Sequence, residues 1–105
     1  MNRARIRLSD VAVNDILEQA DWYKQQSGQS LAKRWESAVT AALLRMVENP
    51  RSGSSCRFKE NELQAIRRMP IGRFPRHLIF YRFEGAEIVI LRVVHGARDL
   101  SLIHI

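Results

Sequence analysis

At 105 residues the chain makes one domain with a modest core and is too short for two. Hydrophobic residues at 46% and charged ones at 27% fit an ordinary globular protein, and no apolar run approaches the roughly 20 residues that a membrane span needs. The 17 Lys and Arg exceed the 11 Asp and Glu to leave a net charge of +6, which favours an acidic partner or a nucleic acid unless it serves only to keep the surface soluble.

Arg3-Ala4-Arg5-Ile6-Arg7-Leu8 alternates basic and apolar residues, which predicts a half-buried strand with no apolar signal sequence ahead of it. Ser9 or Asp10 then offers an N-cap oxygen. Val13, Ile16, Leu17, Ala20 and Tyr23 recur at helical spacing until Gly28 stops the helix. A second helix is expected to begin near Ser30, with Leu31, Trp35, Ala38, Val39, Ala42 and Met46 as its buried stripe. Asn49-Pro50 closes it, because proline disfavours helix in the residue before it. The short junction predicts an antiparallel helical hairpin.

The segment from Pro50 to Ser55 is a loop by composition. Three strands are expected after it, over 62–69, 76–83 and 87–95, the last two joined by a tight turn at Glu84-Gly85. That turn pairs Tyr81 with Ile88, Ile79 with Ile90, and Arg82 with Glu87, the last a favourable meeting of opposite charges. The order is therefore β-α-α-β-β-β. It describes an α+β domain in which an N-terminal helical hairpin packs on a mostly antiparallel sheet.

The final hairpin has two unequal faces. Leu78, Phe80, Val89, Leu91 and Val93 are apolar throughout, so this face is expected under the helices. The other face carries His77, Ile79, Tyr81, Ile88, Ile90 and Arg92. Arg3, Arg5 and Arg7 are expected to join it, with Arg67 or Arg68 from the preceding strand. A sheet face apolar in the middle and basic around it suits an acidic, apolar-striped partner or a stacked RNA strand. The bland alternative is that the chain's own tail, or a second copy of it, covers that face.

The chain ends its last strand on Val94-His95-Gly96-Ala97-Arg98-Asp99. An imidazole can move a proton near neutral pH and a guanidinium can steady a phosphate, so His95 and Arg98 are the pair on which nuclease chemistry would rest. The same pair serves equally as a capped strand end, with Asp99 holding Arg98. Gly96 allows a bulge that re-aims His95 or Arg98. His77, His95 and His104 have no metal-ligand spacing, and Cys56 is the sole cysteine, which excludes an internal disulfide and suits a reducing cytoplasm. Trp22, Tyr23 and Trp35 fit packing better than ligand contact. No phosphate loop or nucleophile elbow is present.

Taken in order, Leu8-Ser9-Asp10 leading to Asp15-Ile16-Leu17 and Trp22-Tyr23, then Asn49-Pro50-Arg51-Ser52-Gly53, then Phe80-Tyr81-Arg82-Phe83 and the strand ending His95-Gly96-Ala97-Arg98-Asp99 resemble the ParE branch of the RelE/ParE bacterial toxins. The resemblance implies a toxin of a type II toxin–antitoxin system that acts in the cytoplasm and is neutralised by an acidic ParD-like antitoxin. It implies DNA gyrase as the target, inhibited by binding, with no catalytic residue, cofactor, metal or membrane involved. The alternative is a RelE-like nuclease that cuts messenger RNA on the ribosome. Arg98 matches that branch's late arginine, and His95 would join it in catalysis. The branch's earlier arginine falls on Leu78, however, and its C-terminal tyrosine is absent, although Arg76 or His77 can stand in for the lost charge. A third reading is an inactive, antitoxin-binding relic. Target contacts are expected at Arg67, Arg76, His77, Tyr81, Arg92, His95 and Arg98. Antitoxin contacts are expected at Arg5, Arg7, Ile79, Tyr81, Ile88 and Ile90.

The domain is expected to span 1–99. The last six residues, Leu100-Ser101-Leu102-Ile103-His104-Ile105, match one reading frame of a common transposon-derived sequencing adapter. They are either foreign to the protein or an apolar tail that docks on it.

Overall fold

The computed structural model describes residues 4–55 and 66–96. Strand β1 (Arg5–Leu8) leads into helices α1 (Asp10–Ser27) and α2 (Gln29–Glu48), followed by strands β2 (Ser54–Ser55), β3 (Ile66–Ile71), β4 (Phe74–Glu84) and β5 (Glu87–His95). The sheet order is β1-β5-β4-β3-β2, with β1 parallel to β5 and the other neighbours antiparallel. This is the expected α+β arrangement. The two-residue strand β2, paired with Arg67 and Arg68, lies inside what composition marks as loop. The expected strand over 62–69 falls partly outside the described residues, and its described part ends two residues later than expected, at Ile71.

Ser9 caps α1, its hydroxyl accepting from the Ala12 amide at 3.0 Å. Gly28 alone separates the helices. Helix α2 buries Ala32, Trp35, Val39, Ala42 and Met46, close to its expected stripe. In α1 the buried residues are Ala12 and Ala20, with Ile16 and Tyr23 partly buried, while Val13 and Leu17 are exposed. The inward face is thus rotated from the one hydropathy suggests, because small alanines let the helices approach.

The expected faces of the sheet are inverted. Ile79, Tyr81, Ile88 and Ile90 have no exposed surface and pack with Trp35, Val39 and Met46 beneath the helices. The opposite face gathers Ile66, Phe80 and Val94, with Leu78 and Leu91 against them. Only Val93, of the five residues expected under the helices, joins the helix-side cluster. The physical reason is that the polar atoms on the chosen face are satisfied internally rather than by water. The Tyr81 hydroxyl donates to the Pro50 carbonyl at 2.8 Å and accepts from the Gly53 amide at 2.9 Å. The Tyr23 hydroxyl meets His77 Nε2 at 3.0 Å.

The hairpin register also differs. The turn is Gly85-Ala86, with Gly85 at φ +60° and Glu84 opposite Glu87. Arg82 therefore faces Val89 rather than Glu87, and its Nε stands 3.4 Å from Glu84. Glu87 instead takes Arg7 of β1 at 3.3 Å. A bulge falls at Leu91, which is skipped between the pairs Tyr81↔Ile90 and Phe80↔Arg92, while Gly96, where the sequence allows one, is the last described residue.

Candidate functional site

The end of the β4–β5 hairpin and the outer side of α1 enclose a cleft of about 910 Å³. Asp15, Glu18, Gln19, Trp22 and Tyr23 form one wall. Arg73, Phe74, Pro75, Arg76 and His77 form the other, and Val93 to His95 the floor. His77 and His95 are cross-strand partners with ring centroids 5.1 Å apart at 83°. His77 is buried, its ring 4.6 Å from Trp35, while His95 is half-buried and Arg76 exposed. The Gly96 amide donates to the Arg76 carbonyl, closing the hairpin end. Burial raises the Tyr23 hydroxyl above the usual tyrosine pKa, so it remains a neutral donor and acceptor beside the imidazole.

Of the expected target contacts, the structure brings Arg76, His77 and His95 together in this cleft. Arg92 is committed elsewhere. Its Nε and Nη2 donate to the Asp15 carboxylate at 2.8 and 3.0 Å, and that hydrogen-bonded pair raises the guanidinium pKa further. Arg67 donates to the carbonyls of Arg51 and Gly53 at 3.2 and 2.8 Å, pinning the loop after α2. Tyr81 secures the same loop from below, where its ring and hydroxyl are out of reach of any partner. Arg98 lies outside the described residues.

Of the expected antitoxin contacts, Ile79, Tyr81, Ile88 and Ile90 have no accessible surface. Arg5 and Arg7 are exposed, on the face opposite Ile6 and Leu8, which pack into the core. Among the described residues, Arg5 and Arg7 therefore do not share a face with Ile79 and Ile88, and these residues do not form the open basic-and-apolar sheet face expected from the hairpin alone.

Asp15, Trp22, Tyr23 and Arg73 were not expected in the site. Asp15 had a legible signal, since a carboxylate one position from the inward-facing Ile16 cannot be left without a partner when buried. Trp22 is half exposed at the cleft wall, its ring edge-on to Tyr23 at 5.6 Å. Among the described residues, no group of three or more His, Cys, Asp or Glu is placed to hold a metal. No helix among them is long and apolar enough to cross a membrane.

Comparison with known proteins accords with this architecture. The chain is similar to a chromosomal ParDE toxin–antitoxin system from P. aeruginosa, with a TM-score of 0.73 at 17% identity over 89% of this chain and 96% of that one. It is also similar to the toxin–antitoxin complex RelBE2 from Mycobacterium tuberculosis, with a TM-score of 0.65 at 21% identity over 93% of this chain and 97% of that one. At such identities the likeness speaks for the fold. No curated protein matches by sequence. The family model for the ParE toxin of the type II toxin–antitoxin system parDE matches residues 6–100. That match spans every described strand and helix but the first residue of β1, and the chain belongs to the ParE toxin family of type II toxin–antitoxin systems.

Proposed function

We propose that this chain inhibits DNA gyrase by binding it in the cytoplasm, and that an acidic, ParD-like antitoxin holds it inactive. The observation that carries this reading is the match to the ParE family model over nearly the whole domain. The chemistry of the cleft supports it. Cleavage of a phosphodiester needs cations free to meet the developing charge. Arg92 is held by Asp15, and Leu78, on which the resemblance places the nuclease branch's earlier arginine, packs against the outer cluster, so the exposed cations of the cleft are Arg73 and Arg76 at its rim. Arg76, His77 and His95 then act as target contacts, with Arg98 proposed beside them.

The grouping of Arg76, His77 and His95 against the Tyr23 hydroxyl favours one second reading, ribosome-dependent cleavage of messenger RNA. Two assays separate them. The purified protein is expected to block supercoiling by gyrase and to leave messenger RNA on translating ribosomes intact, with added antitoxin restoring supercoiling. Cleavage that disappears in His95→Ala and Arg98→Ala, with normal supercoiling, would establish the nuclease instead.

A further inference from the structure

Side chains of a strand alternate between faces, and Ile88 and Ile90 lie on the helix side of β5. Continued without interruption, that alternation would turn Arg92 and Val94 toward the helices and His95 away from them. The skipped residue Leu91 reverses the parity. Val93 consequently joins the core under the helices and Val94 the outer cluster with Phe80. His95 comes to stand opposite His77 in the cleft.

A bulge interrupts the ladder, so its position must be fastened by something else. Among the described residues, α1 and its cap supply side-chain hydrogen bonds that do this. The Ser9 hydroxyl donates to the carbonyl of the skipped Leu91 at 3.0 Å. Asp15 accepts from both Arg92 nitrogens and from the Val93 amide at 2.9 Å. The Asp15 side chain is only 10% exposed and that of Arg92 22%, so water competes weakly for these charged hydrogen bonds.

We propose that α1 sets the aim of His95. Asp15, assisted by Ser9, locks the Leu91 bulge in place and so fixes which face the last residues of β5 present. Asp15 is thus a positioning residue for the cleft, acting through Arg92 and Val93. The consequence for toxicity rests on the proposed role of the cleft in meeting the target. The effect on His95 does not.

The test uses the full chain and two readouts. Contacts between the His77 and His95 ring protons are followed by NMR, and growth is followed on induction without antitoxin. Asp15→Asn removes the bidentate pair and is expected to lose both the ring contact and the growth arrest while the chain stays folded. Val39→Ala, a buried change in α2 away from the bulge, serves as the stability control and is expected to keep both. If Asp15→Asn does not fold, Arg92→Gln, which keeps the Asp15 bond to the Val93 amide, is read the same way. A retained ring contact in the folded variant overturns the proposal, whatever happens to growth. Loss of the ring contact with undiminished growth arrest supports the aiming role and instead overturns the cleft as the site of target contact.

Discussion

Tyr81 shows how a single side chain can mislead a reading of alternation. Its aromatic body and polar tip suit an exposed binding face, yet the ring is fully buried and its hydroxyl ties the Pro50–Gly53 loop to the sheet. Tyr81→Phe leaves the buried Gly53 amide without its acceptor, so a loss of about 1–3 kcal/mol is expected in urea unfolding. Gly53 is fixed by the same contact. A Cβ there would lie 2.4 Å from the Tyr81 hydroxyl and 2.8 Å from the Arg68 carbonyl, and the backbone atom cannot yield. Gly53→Ala is expected to cost about 1–3 kcal/mol by overpacking, measured by the same denaturation. Burial is also the main cause of the raised Tyr81 pKa, opposed by the Gly53 amide, Arg67 and Ser52. A folded pKa above the usual tyrosine value of 10.0 means that the stabilising contribution is complete below that pH and is lost as pH rises through the folded value. The wild type should therefore lose stability on the alkaline side faster than Tyr81→Phe, a comparison made by thermal unfolding across the pH series. None of this was legible locally, because the partners of Tyr81 lie 28 and 31 residues away in sequence.

Helices and strands were the most readable level, and β5 shows where that legibility stops. Its bounds follow from the alternation of apolar residues, and α2 follows from a stripe that its buried residues largely repeat. Which face of the hairpin turns inward does not follow, because both faces are apolar enough to be core and both are in fact largely buried. The Leu91 bulge is equally hidden, since the residues that fasten it belong to α1 and its cap. For the same reason the cleft was half legible. Arg76, His77 and His95 stand out by type, whereas Asp15 and Tyr23 become site residues only once α1 lies across the hairpin end. Trp35 is what holds the layers in that relation. It is fully buried, its indole donates to the Ile16 carbonyl at 3.1 Å, and its ring meets Phe74 edge-on at 5.4 Å. Trp35→Ala removes an anchor shared by α1, α2 and β4, and about 3–5 kcal/mol of stability is expected to go with it in chemical denaturation. A loss below about 1 kcal/mol would mean that the helical hairpin is held by other contacts.

Among the described residues, exposed positive charge is found on several elements of the molecule. Arg5 and Arg7 lie on β1, Lys33 and Arg34 on α2, and Arg73 and Arg76 at the cleft wall, all exposed. A distributed field of this kind acts at a distance. It steers an acidic partner toward the surface from many directions, and its strength depends on the ionic strength more than on any one contact. Short-range packing and desolvated hydrogen bonds then decide how long the complex lasts. The two contributions separate in a kinetic experiment with the proposed acidic antitoxin. Raising the salt from about 0.05 M to about 0.5 M shortens the screening length by about threefold. The association rate constant should fall by about one to two orders of magnitude while the dissociation rate changes far less. Arg73→Glu and Arg76→Glu together should lower the association rate at low salt and flatten its salt dependence, because reversing two of the 17 basic residues, both exposed, takes the net charge from +6 to +2. An association rate indifferent to salt would mean that the antitoxin finds this chain by shape alone, and the surplus of arginine would then have to be explained by some other partner.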